Sequence, residues 1–329
     1  MNMAWTQRPE GGGRFALRLI RAIARRGGRA LARPLLLPIT AYFMLVRGPE
    51  RRASLAWLRR VLGAHAGYRH VARHIHSFAS TILDRVFLLG GQVDRFDVTV
   101  TGLDTLHRDL DQGRGVLLFG SHLGSFEVLR VLGRQCPDYT IRVVLDKSRN
   151  PALTQLLDEL SPEIAASVID AAQDGPSIVM AIKQACDEGA MVALLVDRAR
   201  PGDPALPAPF FGEAALFPTS PWLIAAALKV PVQLGFGLYR GGNRYDLQFE
   251  PFADEVRIGR GQRMADVAAL IERYARQLEN RASDAPYNWF NFYDFWLQDH
   301  AAVARDDATV QRRPAVTARA AGNGPGNGA

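Results

Sequence analysis

His122 and Glu127 lie in the segment Gly115-Val-Leu-Leu-Phe-Gly-Ser-His122-Leu-Gly124-Ser125-Phe-Glu127, directly after an apolar run with the character of a buried strand. An imidazole with one ring N–H held by a carboxylate can take a proton from an alcohol on its other nitrogen, and the carboxylate stabilises the imidazolium that forms. On one continuous helix the two residues, five apart, would point about 140° away from each other, so they need a turn between them. Gly124 permits that turn, Ser125 is suited to cap the helix that follows, and Glu127 falls in its first turn, from which it folds back toward the imidazole. This describes a general-base dyad with no protein nucleophile. The same residues also fit a plainer pair: a strand-end histidine and a helix-start acid favoured by the dipole.

The elements that must position these residues follow from the hydrophobic pattern. Arg51 to Leu89 reads as two helices, the second carrying Val71, Ile75, Phe78, Ile82 and Phe87 near a helical period. From Arg95 onward, short strand-like runs (FDVTV, GVLLFGS, IRVVL, SVID, MVALLV, VPVQLGFGLY) alternate with helical stretches near 125–134, 151–160, 175–187 and 219–229. Such alternation predicts an α/β fold with a mostly parallel central sheet flanked by helices, its sites at the carboxyl ends of strands. Tyr245 to Phe249, after Gly241-Gly242-Asn243, reads as an antiparallel edge strand, and a long helix follows at about 262–280. The last stretch, 301–329, is rich in Ala, Arg, Gly and Asn and reads as a disordered tail.

Composition narrows the classes. With 48% apolar and 22% charged residues the chain cannot be disordered throughout, and two cysteines, Cys136 and Cys186, exclude a disulfide framework and a sulfur-rich zinc site. The net charge of +7 is concentrated, because residues 1–33 hold eight arginines against one glutamate and the rest of the chain is balanced. Arg14, Arg18, Arg21 and Arg25 form a cationic helical face beside Phe15, Leu19 and Ile23. The uncharged run Pro34 to Val46 follows, too short to span a bilayer and interrupted by Pro38. Residues 1–47 therefore read as a basic, apolar membrane-associating segment, peripheral or monotopic. A signal peptide is the nearest rival, but Arg47 follows the apolar run at once, with no small-x-small cleavage site. Nucleic-acid binding is the other partner class for a basic arm; the uniformly apolar neighbour favours lipid over it. No dinucleotide fingerprint, phosphate-binding loop or nucleophile elbow occurs. His70, His74 and His76 lie close together without a carboxylate-rich partner, so no metal is assigned, and no cofactor is called for.

With these residues in view, the chain resembles a family. His122-Leu-Gly-Ser-Phe-Glu127 resembles the HxxxxD/E block of the glycerolipid acyltransferase superfamily, and the layout from about 96 to 295 is similar to the bacterial lipid A late acyltransferases, the lauroyl and myristoyl transferases. Asn150-Pro151 resembles the family's Asn-Pro segment, with Arg149 beside it a candidate for a donor or acceptor phosphate. Asp197-Arg198, then Pro209-Phe210-Phe211-Gly212 and Phe217-Pro218-Thr219-Ser220-Pro221, resemble three further family stretches, and Lys229-Val-Pro-Val232 resembles the closing block. The resemblance implies an acyltransferase domain, drawn here at 48–300, moving a fatty acyl group from an acyl-carrier-protein or acyl-CoA thioester to a hydroxyl or amine of a lipid or glycolipid at the cytoplasmic face of the bacterial inner membrane. It further implies that His122 and Glu127 are catalytic, and that Ser125, Arg149, Asp197, Arg198, Phe210, Phe211, Gly212 and Thr219 contact substrate. For Phe210, Phe211 and Phe217, an acyl-chain groove and a plain core remain alternatives. A non-catalytic lipid-binding or scaffold protein is the alternative for the whole chain.

The pattern departs from that family at the end. Where the lipid A enzymes carry Tyr-x-Trp and then a basic run, this chain reads Tyr287-Asn-Trp289-Phe-Asn291-Phe-Tyr293-Asp294-Phe-Trp296, and Ser220 replaces the expected glycine. Missing cations argue against a phosphorylated sugar lipid as acceptor. The ending resembles that of a divergent branch of predicted acyltransferases that accompany aryl-polyene and related lipid clusters.

Overall fold

The computed structural model describes residues 28–132, 138–199 and 202–296. The arginine-faced helix expected at 14–25, Cys136 and the tail expected at 301–329 lie outside the described residues. The central sheet has seven strands in the order β1 (Asp97–Thr101), β9 (Arg244–Ala253), β8 (Val232–Gly241), β2 (Val116–Gly120), β5 (Met191–Leu195), β3 (Ile141–Leu145) and β4 (Ile169–Asp170). Strands β8, β2, β5, β3 and β4 run parallel. Strand β9 is antiparallel to β8, as expected from the Gly241-Gly242 turn. It is not the edge: β1 pairs alongside it in parallel and takes that place. The short alternating run could not reveal this, because the covering strand comes from nearly 150 residues earlier.

Strand β2 lies at the centre and is buried at every position, which is why its sequence is continuously apolar rather than alternating. Its side chains nevertheless alternate between faces. Leu117 and Phe119 join one core with Trp222, Ile271 and Tyr274, whereas Val116 and Leu118 join another with Leu83, Phe87 and Leu247. The first core lies under the helices Ser220–Leu228 and Arg263–Asp284.

At the amino-terminal end, Gly28 to Val46 follows one helical path: a lead-in, a 3-10 turn (Arg33–Leu35), then α1 (Leu36–Val46). Pro38 sits in the first turn of α1, where no intrahelical N–H is lost. At 19 residues this path is long and apolar enough to cross a membrane by length and composition. It lies along α3 (Tyr68–Leu89), which follows α2 (Gly48–Leu62). Arg29 pairs with buried Asp84 on α3 at 2.6 Å, Arg33 bonds the Gly242 carbonyl, and Nδ1 of His76 donates to Thr40 Oγ1 at 3.2 Å. The outward side of the path keeps Leu31, Leu37, Tyr42 and Leu45 exposed, Leu45 by 81%.

A feature absent from the sequence reading is the hairpin of β6 (Ala205–Phe210) and β7 (Glu213–Pro218). Pro207 and Pro209 argue against a strand within a large sheet. They are accommodated here because, among the described residues, the ribbon has two strands, each paired on one side.

Candidate active site

The site is set by register. Gly120 at the end of β2 stands beside Leu195 at the end of β5 in the parallel ladder. Continuing each chain by two residues brings His122 and Asp197 together, and Nδ1 of His122 donates to Asp197 Oδ1 at 2.8 Å. Asp197 is fully buried, whereas the His122 side chain keeps 30% of its surface. Because Nδ1 carries the proton in this bond, Nε2 presents its lone pair, and among the described residues no hydrogen bond occupies it. Burial lowers the pKa of His122, Arg198 lowers it further, and Asp197 opposes them. For Asp197, burial pushes the carboxyl up, but the hydrogen-bonded ring and Arg198 outweigh it and hold the group below its ordinary value. The imidazole is thus neutral at neutral pH, with a buried carboxylate ready to stabilise its charged form.

The turn after His122 is made by Gly124, at φ +84°. A Cβ there would sit 2.1 Å from the Gly237 carbonyl oxygen, so glycine is required both for the conformation and for the close approach of β8. The N–H groups that the turn directs outward are occupied: Gly124 donates to Asn288 O and Ser125 to Gly237 O. Neither is left as a donor for an oxyanion. A 3-10 helix, Phe126–Val131, follows where an α-helix at 125–134 was expected. Within it Glu127 contacts residues other than the imidazole. Its carboxylate pairs with Arg85 of α3 at 2.6 Å and accepts the Ser125 hydroxyl at 3.0 Å. The carboxylate on the His122 ring is therefore Asp197 and not Glu127, and Ser125 is a donor to Glu127 rather than an N-cap acceptor.

Arg198, next to Asp197, reaches across to the aromatic segment 287–296. Its Nε donates to Asn291 Oδ1 at 2.5 Å, its Nη2 to Phe290 O at 3.1 Å, and its guanidinium lies 5.4 Å from the Tyr293 ring centre. That segment closes one side of the site. Phe290 N–H donates to His122 O, and Asn288 brackets the Tyr239 backbone with both side-chain atoms.

With this geometry in hand, comparison with known families is decisive: the model of the bacterial lipid A biosynthesis acyltransferases matches residues 68–298. The chain belongs to that family. It is an acyltransferase, and the family's reaction moves an acyl group to a lipid. A search of curated proteins found no match. The helical path 28–46 and α2 precede the matched region.

The remaining residues expected at the site are dispersed. Arg149 lies beyond the end of β3, on the far side of β5 from His122, half exposed and 3.4 Å from Asp146. Phe210 and Phe217 are fully buried and pack on each other, on Phe295 and, for Phe210, on Trp289 and Trp296. They belong to the core rather than to a groove wall. Phe211 and Gly212 form the two-residue turn of the β6–β7 hairpin with φ of 50° and 81°, the positive-φ pair that tight hairpins use. The Phe211 ring packs on Trp57. Thr219 is buried, with its hydroxyl donating to Pro204 O at 3.2 Å. The three clustered histidines each have a different protein partner. His70 accepts from the Gly67 N–H, and His76 meets Thr40. His74 is wholly buried, with Nε2–H donating to Trp289 O at 2.8 Å and Nδ1 accepting from Ser54 at 2.8 Å. Burial pushes its pKa down to about 4. Arg85 went unread in the sequence; its place on α3, opposite the site, is a tertiary fact without a local pattern.

Proposed function

We propose that this protein is a membrane-associated acyltransferase that moves a fatty acyl group from an acyl-carrier-protein or acyl-CoA thioester to a hydroxyl, or an amine, of a lipid or glycolipid. His122 is the general base, oriented by Asp197. The observation that carries this is the buried Asp197 on Nδ1 of His122, which leaves Nε2 open at the end of β2. In the reaction the acceptor O–H gives its proton to Nε2 while its oxygen bonds to the thioester carbonyl carbon. Collapse of the tetrahedral intermediate breaks the C–S bond, and the imidazolium returns the proton to the departing thiolate. No covalent acyl-enzyme is needed. Arg198 supplies positive potential beside the developing oxyanion. Glu127, held by Arg85, fixes the turn that presents His122.

In this reading residues 1–47 contact the cytoplasmic face of the inner membrane, 48–300 are the acyltransferase domain, and 301–329 are a tail. The exposed apolar side of the helical path 28–46 and the eight arginines of residues 1–33 support membrane contact. Neither donor nor acceptor binding requires a metal or cofactor in this scheme. Mass spectrometry of total lipids from cells of the native organism carrying wild type or His122→Ala tests it. A species heavier by one acyl group and present only with wild type is expected; identical extracts would overturn the assignment.

A further inference from the structure

The segment that replaces the expected basic run is paired directly with the His122 loop. Leu123 and Trp289 form an antiparallel bridge, closed on either side by Phe290 N–H to His122 O at 2.9 Å and Gly124 N–H to Asn288 O at 2.8 Å. Leu123 and Trp289 both point into the core, exposed by 2% and 0%. Side chains alternate along paired strands, and residues directly opposite share a face. The adjacent pair, His122 and Phe290, joined by the Phe290 N–H to His122 O bond, therefore falls on the opposite face from Leu123 and Trp289.

Phe290 does not stand alone there. Its ring lies 5.2 Å from that of Phe78 on α3, which lies 5.2 Å from Phe292, and all three are half-buried. On α3, His74, Phe78 and Arg85 fall within about 40° of one another around the helix axis. The face of α3 that holds Trp289 through His74 and Glu127 through Arg85 thus presents Phe78 between them. Several polar groups of the site are engaged with one another: Arg85 pairs with Glu127, and Arg198 donates to Asn291 and the Phe290 carbonyl. The residue paired opposite His122 is aromatic, and it continues into the Phe78 and Phe292 rings.

We propose that Phe78, Phe290 and Phe292 form the surface along which the acyl chain of the thioester donor lies, so that these rings set its chain-length preference. This rests on the acyltransferase reading of His122. The donor is favoured as occupant by connectivity: the chain begins at the carbonyl carbon, which must come within about 3.5 Å of the attacking oxygen. An acceptor's tails are separated from its reacting hydroxyl by a head group.

The test is calorimetric binding of acyl-phosphopantetheine thioesters, the part common to both donor types, to the full chain. Chains of about six to about twelve carbons should bind up to about fourfold tighter per added methylene where the chain is buried on the wall. Phe290→Ala and Phe78→Ala should cut that to less than about twofold per methylene, and Phe290→Leu should retain most of it. Equal slopes in wild type and both alanine variants, or no slope in wild type, would overturn the proposal. The same titration in His122→Ala should keep the wild-type slope. Loss of the wall and loss of the base are thus read separately, since binding does not require proton transfer. Should the alanine variants fold poorly, a photoreactive chain terminus on the wild-type protein decides. Adducts on peptides containing Phe78 or Phe290–Phe292 support the wall, and adducts confined to other peptides refute it.

Discussion

A histidine that acts as base must be neutral before it can accept a proton, and burial together with Arg198 lowers the pKa of His122. The acidic limb of the pH profile of kcat/KM is therefore expected below the ordinary imidazole value of about 6.5, with activity full above it and lost as His122 protonates. Steady-state rates across pH check this. Asp197→Asn removes the acceptor that fixes the tautomer and the charge that stabilises the imidazolium. It should lower kcat/KM by about 10²- to 10⁴-fold with little change in KM. Glu127 predicts a different pattern, because it meets Arg85 and Ser125 rather than the ring. Glu127→Gln and Arg85→Ala should cause similar losses, each smaller than that of Asp197→Asn, and the double variant should be little worse than either single one. Additive losses would show that Glu127 acts independently of Arg85.

Elements meet at a few buried polar contacts, and His74 is the clearest. It joins α2 through Ser54 and the aromatic segment through the Trp289 carbonyl. With a folded pKa of about 4 against about 6.5 unfolded, it stays neutral in the folded chain while the unfolded chain charges. Its contribution to stability is thus complete above pH 6.5 and declines as pH falls from 6.5 toward 4, by up to about 3 kcal/mol. Denaturant titrations should show that decline, and His74→Gln, whatever its own stability, should flatten it. The close approach of the His122 turn to β8 gives a second element-scale prediction. Gly237→Ala would place a Cβ 2.1 Å from Ser125 O, a backbone clash that should cost more than about 2 kcal/mol, read as a lowered Tm with activity lost in step.

For the whole molecule the question is how a catalytic domain meets a lipid. The helical path 28–46 is docked on α3 by Arg29–Asp84 and by Thr40–His76, so its apolar side faces outward while its polar contacts face the body. A helix fixed in this way suits a place in the lipid interface with the domain attached. Leu37→Asp combined with Leu45→Asp should release the full chain from vesicles of anionic lipid in a sedimentation assay while leaving the α3 contacts intact. Retention on the vesicles would place the attachment elsewhere.

How much was legible beforehand follows the range of each interaction. The helices at 151–160 and 175–187, the order of strands along the chain, the turn at Gly124 and the place of His122 just beyond a buried strand were all readable, because periodicity and short motifs record contacts between near neighbours in sequence. The fold class followed from strand and helix alternation. What only the tertiary structure decided depends on register and on which strands lie side by side. Asp197 rather than Glu127 reaches His122 because β2 and β5 pair with Gly120 beside Leu195, 75 residues apart. The strand β9 is interior because β1 returns to cover it. Phe210 and Phe217 are fully buried core, whereas Phe290 is half-buried on the segment that bonds the His122 loop. All three are phenylalanines with an apolar or aromatic residue before them, and only tertiary packing decides which ring is fully buried: Phe210 and Phe217 pack on each other and on Phe295, whereas Phe290 follows Trp289, whose pairing with Leu123 turns that neighbour inward.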